Sequence, residues 1–156
     1  MKTIDEKYMD EALKEAELAL KENEVPIGAI LVLNSTHEII ARSHNKKEED
    51  KNVTHHAEIL CIDEASKKVN NWRLDDTTLY VTAEPCLMCA GAIIQARISR
   101  VVYGLKESEF GAFGGVVDLT RDYKTNLIVQ GGVKEKEAKE LMQKFFLSKR
   151  KIRENS

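Results

Sequence analysis

Residues 77–104 read TTLYVTAEPCLMCAGAIIQARISRVVYG. A β-branched run, a proline, a stretch of small and aliphatic residues and a second β-branched run succeed one another almost without spacers. This alternation of strand and helix constrains the fold more than any other feature, and it extends along the chain. Met9, Leu13, Ala16 and Leu20 recur at helical spacing, which predicts an amphipathic helix over residues 5–22. IGAILVL (27–33) reads as a buried strand, NST (34–36) as a turn and EIIARS (38–43) as the returning strand. A polar loop leads to a helix over 55–69, the strand TTLYVT (77–82), a helix that Pro85 starts and that runs to about Ala96, and the strand RVVYG (100–104). Beyond a glycine-rich loop, FGAFGG (110–115), come a fifth strand, LIVQGGV (127–133), and a terminal helix from Lys134 to Arg153. The expected architecture is one α/β domain, residues 1–156, with a largely parallel sheet packed between helices.

Composition narrows the class. The 156 residues suffice for a real core, and 42% apolar with 32% charged residues is ordinary for a globular chain. No apolar run approaches the roughly 18 residues that span a membrane. The N-terminus mixes charge with apolar residues and lacks the core of a signal peptide, so a cytoplasmic location is expected. Three cysteines, Cys61, Cys86 and Cys89, point away from a disulfide framework and toward thiolate or metal chemistry. The net charge of −2 is unevenly spread: residues 1–24 carry a net −4 and residues 134–156 a net +4. The basic tail reads either as a solvated helix end or as an arm that contacts phosphates.

The chemistry sits at two predicted helix starts. In EPCLMC (84–89), Cys86 and Cys89 are three residues apart, and their sulfurs can converge on one point where the helix N-terminus stabilises thiolates. Alone, such a pair fits a redox couple, half of a structural zinc site, or two small buried residues. HAE (56–58) opens the preceding predicted helix, 30 residues before Cys86. Helix starts gather at the carboxyl ends of strands, so one imidazole and two thiolates would meet there. Three such ligands suit zinc, and with no fourth protein ligand apparent the open position would hold an activated water. Glu58, two residues past His56, reads as the proton carrier for that water, against the alternative of a glutamate favoured by the helix dipole. His55, one residue off the ligand register, is expected to point away, toward solvent or the pocket rim.

His-x-Glu followed by Pro-Cys-x-x-Cys is the known signature of zinc-dependent nucleobase deaminases. The run from Asn71 to Gly104, with EVPIGA (24–29), HNK (44–46) and FFLSKR (145–150), resembles the bacterial tRNA-specific adenosine deaminases of the cytidine/deoxycytidylate deaminase superfamily, in order and over essentially the whole chain. The resemblance implies a three-layer α/β/α sandwich of the cytidine-deaminase type with a mixed five-stranded sheet. It implies one zinc per chain on His56, Cys86 and Cys89, proton transfer by Glu58, and deamination of the wobble adenosine of a tRNA anticodon stem-loop to inosine by a homodimer. It places Asn45 on the flipped base and Ile27, Ala57, Ala83 and Glu84 around the pocket. Read from the residues alone, Asn45 could instead stabilise its own turn, and Ile27 could be a core residue. The alternative activity is a free-base or nucleotide deaminase for guanine, cytosine or dCMP, which would use the same zinc site. A zinc-stabilised RNA-binding module without catalysis is the non-enzymatic reading, and Glu58 argues against it.

The chain also departs from the family pattern. His55 replaces a usual alanine, Glu107 a common aspartate and Leu147 a common arginine, and Phe110 and Phe113 bring aromatics into the glycine-rich loop, suited to stacking on bases or to a subunit interface. Cys61 is expected to be a small buried residue and Trp72 to cap the core, with a surface position near the substrate as its alternative. His37 and His44 carry no expected role.

Overall fold

The computed structural model describes residues 1–154; Asn155 and Ser156, the end of the basic tail, lie outside the described residues. The elements run α1 (Ile4–Lys21), β1 (Gly28–Leu33), β2 (Glu38–His44), α2 (Ala57–Val69), β3 (Thr77–Ala83), α3 (Leu87–Gln95), β4 (Arg100–Leu105), α4 (Leu119–Asp122), β5 (Ile128–Gln130) and α5 (Glu135–Glu154). α1 begins at a capping box: the Thr3 hydroxyl accepts from the Glu6 N–H while the Glu6 carboxylate accepts from the Thr3 N–H. α2 ends on Asn70 in the left-handed conformation, with Lys67 and Lys68 in its last turn complementing the dipole.

The five strands form one sheet in the order β2-β1-β3-β4-β5. β1 is antiparallel to both β2 and β3, while β3–β4 and β4–β5 are parallel. The sheet is therefore mixed, as the family resemblance implied, and not largely parallel. The cause is the short turn after Leu33, which folds β2 back on β1. The α2 crossover then carries the chain past β1, so that β3 runs the same way as β2 with β1 reversed between them.

Alternation along the strands divides the core in two. Ala29, Leu31, Leu79, Val81 and Val101 pack under Ala57, Cys61 and Ala65 of α2 and Ala90 and Ile93 of α3. Ile30, Val32, Tyr80 and Val102 pack under Met9, Ala12 and Ala16 of α1 and Leu141 of α5. Helices on both faces give three layers. The direction of β1 also serves the site: its first residues lie beside the last residues of β2 and β3, Gly28 opposite His44 and Ala29 opposite Val81. One edge of the sheet thus collects the starts of α2 and α3, the chain entering β1 and the loop leaving β4.

The structure corrects several sequence expectations. Pro85 does not start α3; the N-cap is Cys86, in extended conformation, and Pro85 stands before it. α4 was not anticipated from the sequence. Trp72 does not cap the core: it is 59% exposed, with the Arg73 guanidinium 5.4 Å from its ring centroid.

Candidate active site

His56 and Cys86 are the N-cap residues of α2 and α3, and both have extended backbones. That conformation lets each side chain reach back across the gap between the two helix starts. Cys89 lies one turn into α3 and is completely buried. His56 Nδ1 is 3.7 Å from the Cys86 sulfur and 3.5 Å from the Cys89 sulfur. All three ligand atoms lie within 4.8 Å of one another, the one such group of three that can hold a metal ion among the described residues. Cys61 stays apart: its thiol donates to the Ala29 carbonyl at 3.2 Å inside the core.

Glu58 sits on the first turn of α2 and is buried. Burial pushes its carboxyl up to about 7, and the neighbouring Cys86 adds to the rise. The two thiols divide one proton. The hydrogen bond from Cys89 lowers the Cys86 thiol to about 4, helped by His56, and the same bond together with burial pushes Cys89 well up. His56 is raised, foremost by its bond to Cys86.

His56, Glu58 and Cys86, with Cys89 buried behind them, form the floor of a cavity of about 590 Å³ lined also by Ile27, Asn45, Ala83 and Glu84. Lys47 and Glu48 border it on one side, Ser108, Glu109 and Phe110 on another, and Met142, Phe145, Phe146 and Lys149 of α5 on a third. A buried carboxyl beside two thiols and an imidazole, at the bottom of a pocket with room for a base and more, is equipped for metal-assisted proton transfer to a bound ring.

Comparison with known proteins agrees. A family profile described as MafB19-like deaminase matches residues 4–150. The tRNA-specific adenosine deaminase of Bacillus subtilis is 46% identical over 151 residues, which cover 96% of this chain and 92% of that protein. The chain belongs to the tRNA-specific adenosine deaminase family. A solved structure from work on A-to-I editing by tRNA:A34 deaminases at the wobble position superposes with a TM-score of 0.83 and 42% identity, covering 86% of this chain and 98% of that one. The guanine deaminase of Nitrosomonas europaea, at 21% identity and a TM-score of 0.80, shares the fold.

Among the positions that the family resemblance singled out, the Asn45 Oδ1 accepts from the Ala57 N–H at 2.8 Å, which tethers the end of β2 to the start of α2. That bond fixes the amide so that its NH2 is the group left to serve the cavity. Ala57 itself is fully buried, with its N–H committed to Asn45. Ile27 both packs against the core and lines the cavity. The Asn45 N–H donates to the Ile27 carbonyl at 3.1 Å, so the two move as one unit. His55 is not on the helix at all. It lies in the loop before it, with Nδ1 2.6 Å from Asp50 and Nε2 3.0 Å from the Asn52 amide.

Sequence reasoning missed two residues, His44 and Glu24, and placed Glu84 around the pocket without its anchoring role. His44 lies buried between Glu15, at 2.9 Å, and Glu22, at 2.8 Å, pinning β2 to α1 next to Asn45. Glu24 and Glu84 are buried carboxylates that accept backbone N–H groups from two rim loops. Two glutamates next to turn residues gave no local signal, because their partners lie more than 20 residues away in irregular segments.

Proposed function

We propose that this chain hydrolytically deaminates adenosine to inosine at the wobble position of a tRNA anticodon loop, using one zinc ion held by His56, Cys86 and Cys89. The observation that carries this reading is the buried carboxyl of Glu58 beside the imidazole and two thiols, at the floor of a cavity whose rim carries aromatic side chains among charges of both signs. The family relatives act on tRNA by name, which supports the substrate.

The donor set fits zinc. Tetrahedral zinc with Zn–S near 2.3 Å and Zn–N near 2.05 Å requires sulfur–nitrogen edges of about 3.6 Å, and the edges here are 3.7 and 3.5 Å. Two thiolates and an imidazole are suitably soft, and three protein ligands leave a position for water. Zinc there supplies Lewis-acid activation of a water at neutral pH. The Glu58 carboxylate would take one proton from the water as its oxygen bonds to C6 of adenine and pass it to ring N1; it would then take the second proton, from the C6 hydroxyl, and deliver it to the exocyclic amine as the C6–N bond breaks and ammonia leaves. The Asn45 NH2 donates to a ring nitrogen, and Ile27 bounds the base. Ala83 and Glu84 form the opposite wall. Around the mouth, Lys47 and Lys149 face the backbone phosphates of the loop, and Phe110 and Phe146 offer faces for its unstacked bases.

Two-fold association of the chain is part of the proposal. Leu87 and Met88 at the start of α3, and Trp72 beside α2, expose apolar surface that a second copy would cover. A cytoplasmic location, where tRNA is found, accords with the finding that no helix among the described residues is long and apolar enough to cross a membrane.

The test is ammonia release in parallel assays with an anticodon stem-loop carrying a wobble adenosine, with free guanine and with cytidine. Release from the stem-loop alone is expected. Turnover of guanine or cytidine, with none on the RNA, overturns the proposal.

A further inference from the structure

The cavity mouth is bordered by two irregular loops, 46–52 and 107–115, and each hangs on one buried carboxylate. Glu84, directly after β3, accepts from the Glu107 N–H at 3.1 Å on Oε1, and from the Phe113 N–H at 2.9 Å and the Gly115 N–H at 2.8 Å on Oε2. Glu24, between α1 and β1, accepts from the Glu48 N–H at 3.1 Å and the Glu49 N–H at 2.8 Å, one on each oxygen. Both carboxylates are at least 96% buried, so these backbone donors replace their water. The loop around Glu84 is tightly wound: a Cβ at Gly115 or Gly111 would meet the Glu107 carbonyl first, and would also stand 2.7 Å from Glu84 Oε1 or 2.5 Å from the carboxylate carbon. Between the anchored residues 107 and 113, residues 108–110 lie on the surface, and Phe110 is left 68% exposed at the opening.

Neither loop supplies a floor group. Glu58, His56 and the two cysteines are carried on α2 and α3. What the loops supply is the surface a substrate meets before its base reaches the floor. We propose that Glu84 and Glu24 are positioning residues: they hold the two rim loops in the shape that captures a folded anticodon loop, and they govern substrate capture while leaving the chemical step to Glu58. The identity of what is captured rests on the tRNA reading above; the holding of the loops does not.

Glu84→Gln offers one oxygen where three N–H groups converge and turns an NH2 toward at least one of them, so donor meets donor. The loop stays attached at its middle, where the Ala112 N–H donates to the Pro85 carbonyl, so the variant is expected to fold, which its circular dichroism checks. On the stem-loop, KM is expected to rise about tenfold with kcat within about twofold of the parent, as for a lost binding interaction. Zinc should stay at one per chain, and hydrogen exchange at the Phe113 and Gly115 amides should quicken about tenfold or more. Gly115→Ala, which leaves the carboxylate intact and displaces the loop, should reproduce this pattern. Glu24→Gln should shift KM the same way by less, having two bonds to lose. A purely structural role would lower the folded fraction and hence kcat, with KM unchanged.

A fall in kcat at constant KM overturns the proposal, as does unchanged amide protection in Glu84→Gln. Failure of the parent protein to deaminate the stem-loop would count against the tRNA reading alone. Amide exchange and equilibrium binding of the stem-loop to the same variants would then decide the role of the two carboxylates.

Discussion

Glu58 and Glu84 are the same residue type, equally buried, and each stands two positions from a proposed metal ligand, Glu58 after His56 and Glu84 before Cys86. Their surroundings differ. Glu84 accepts from three backbone N–H groups, which hold a loop to it. Glu58 lies against its own backbone N–H and the Cys89 thiol, and burial brings its carboxyl up to about 7. A carboxyl poised near neutrality can pick up and release a proton; one that accepts from three N–H groups of a loop is placed to anchor it. Residue type and burial therefore do not distinguish a proton carrier from a scaffold. The count of donors around the carboxylate does, and it separates the floor of the cavity from its rim.

The strongest way to break this distinction is to remove the proton from one side of it. Glu58→Gln should lower the single-turnover deamination rate by about 10²–10⁴-fold, the usual weight of general acid–base catalysis, with stem-loop affinity unchanged within about twofold. Quench-flow assays of inosine formation measure it, and a rate within tenfold of the parent would remove Glu58 from the mechanism. Asn45→Ala sits at the junction of floor and rim, since it loses both the tie to the Ala57 N–H and the donor to the base. Steady-state kinetics should show kcat/KM down about 10–100-fold, or about 1–3 kcal/mol. The Glu84→Gln effect, about tenfold and in KM, comes next. The smallest effect belongs to the outer rim: Lys149→Ala should weaken stem-loop binding a few-fold and make the plot of log affinity against log salt shallower by about 0.7–0.9, with kcat unaltered. An unchanged slope would mean that Lys149 contacts no phosphate.

The same division marks what could be read from the sequence. The floor was legible because its signals are local. His56 and Glu58 share one helix start, Cys86 and Cys89 another, and the alternation of elements says that such starts gather at one sheet edge. The strands were legible too, since continuous apolar and β-branched runs bounded by turn residues leave little choice. The rim was not. Glu84 finds its partners 23, 29 and 31 residues downstream, in a loop whose path no periodicity reports. His55 was misplaced because the helix was expected to begin with it, whereas the N-cap is His56 and a pairing with Asp50 holds His55 in the loop. The four residues of α4 are too few for a periodic signal; the Asp118 cap that starts the helix, its Oδ1 accepting from the Thr120 N–H at 3.0 Å, is visible only once the loop is folded. The antiparallel setting of β1 follows from a turn the sequence did show, NST at 34–36, combined with a crossover whose path it did not.

The claim on which all of this depends is that His56, Cys86 and Cys89 hold one metal ion beneath Glu58. Native mass spectrometry of the parent protein and of Cys89→Ala, purified side by side, tests it directly and without reference to activity. The expected result is one zinc per chain in the parent and none in the variant. A parent protein that deaminates the stem-loop while carrying no zinc, or a Cys89→Ala variant that keeps a full equivalent, would contradict it.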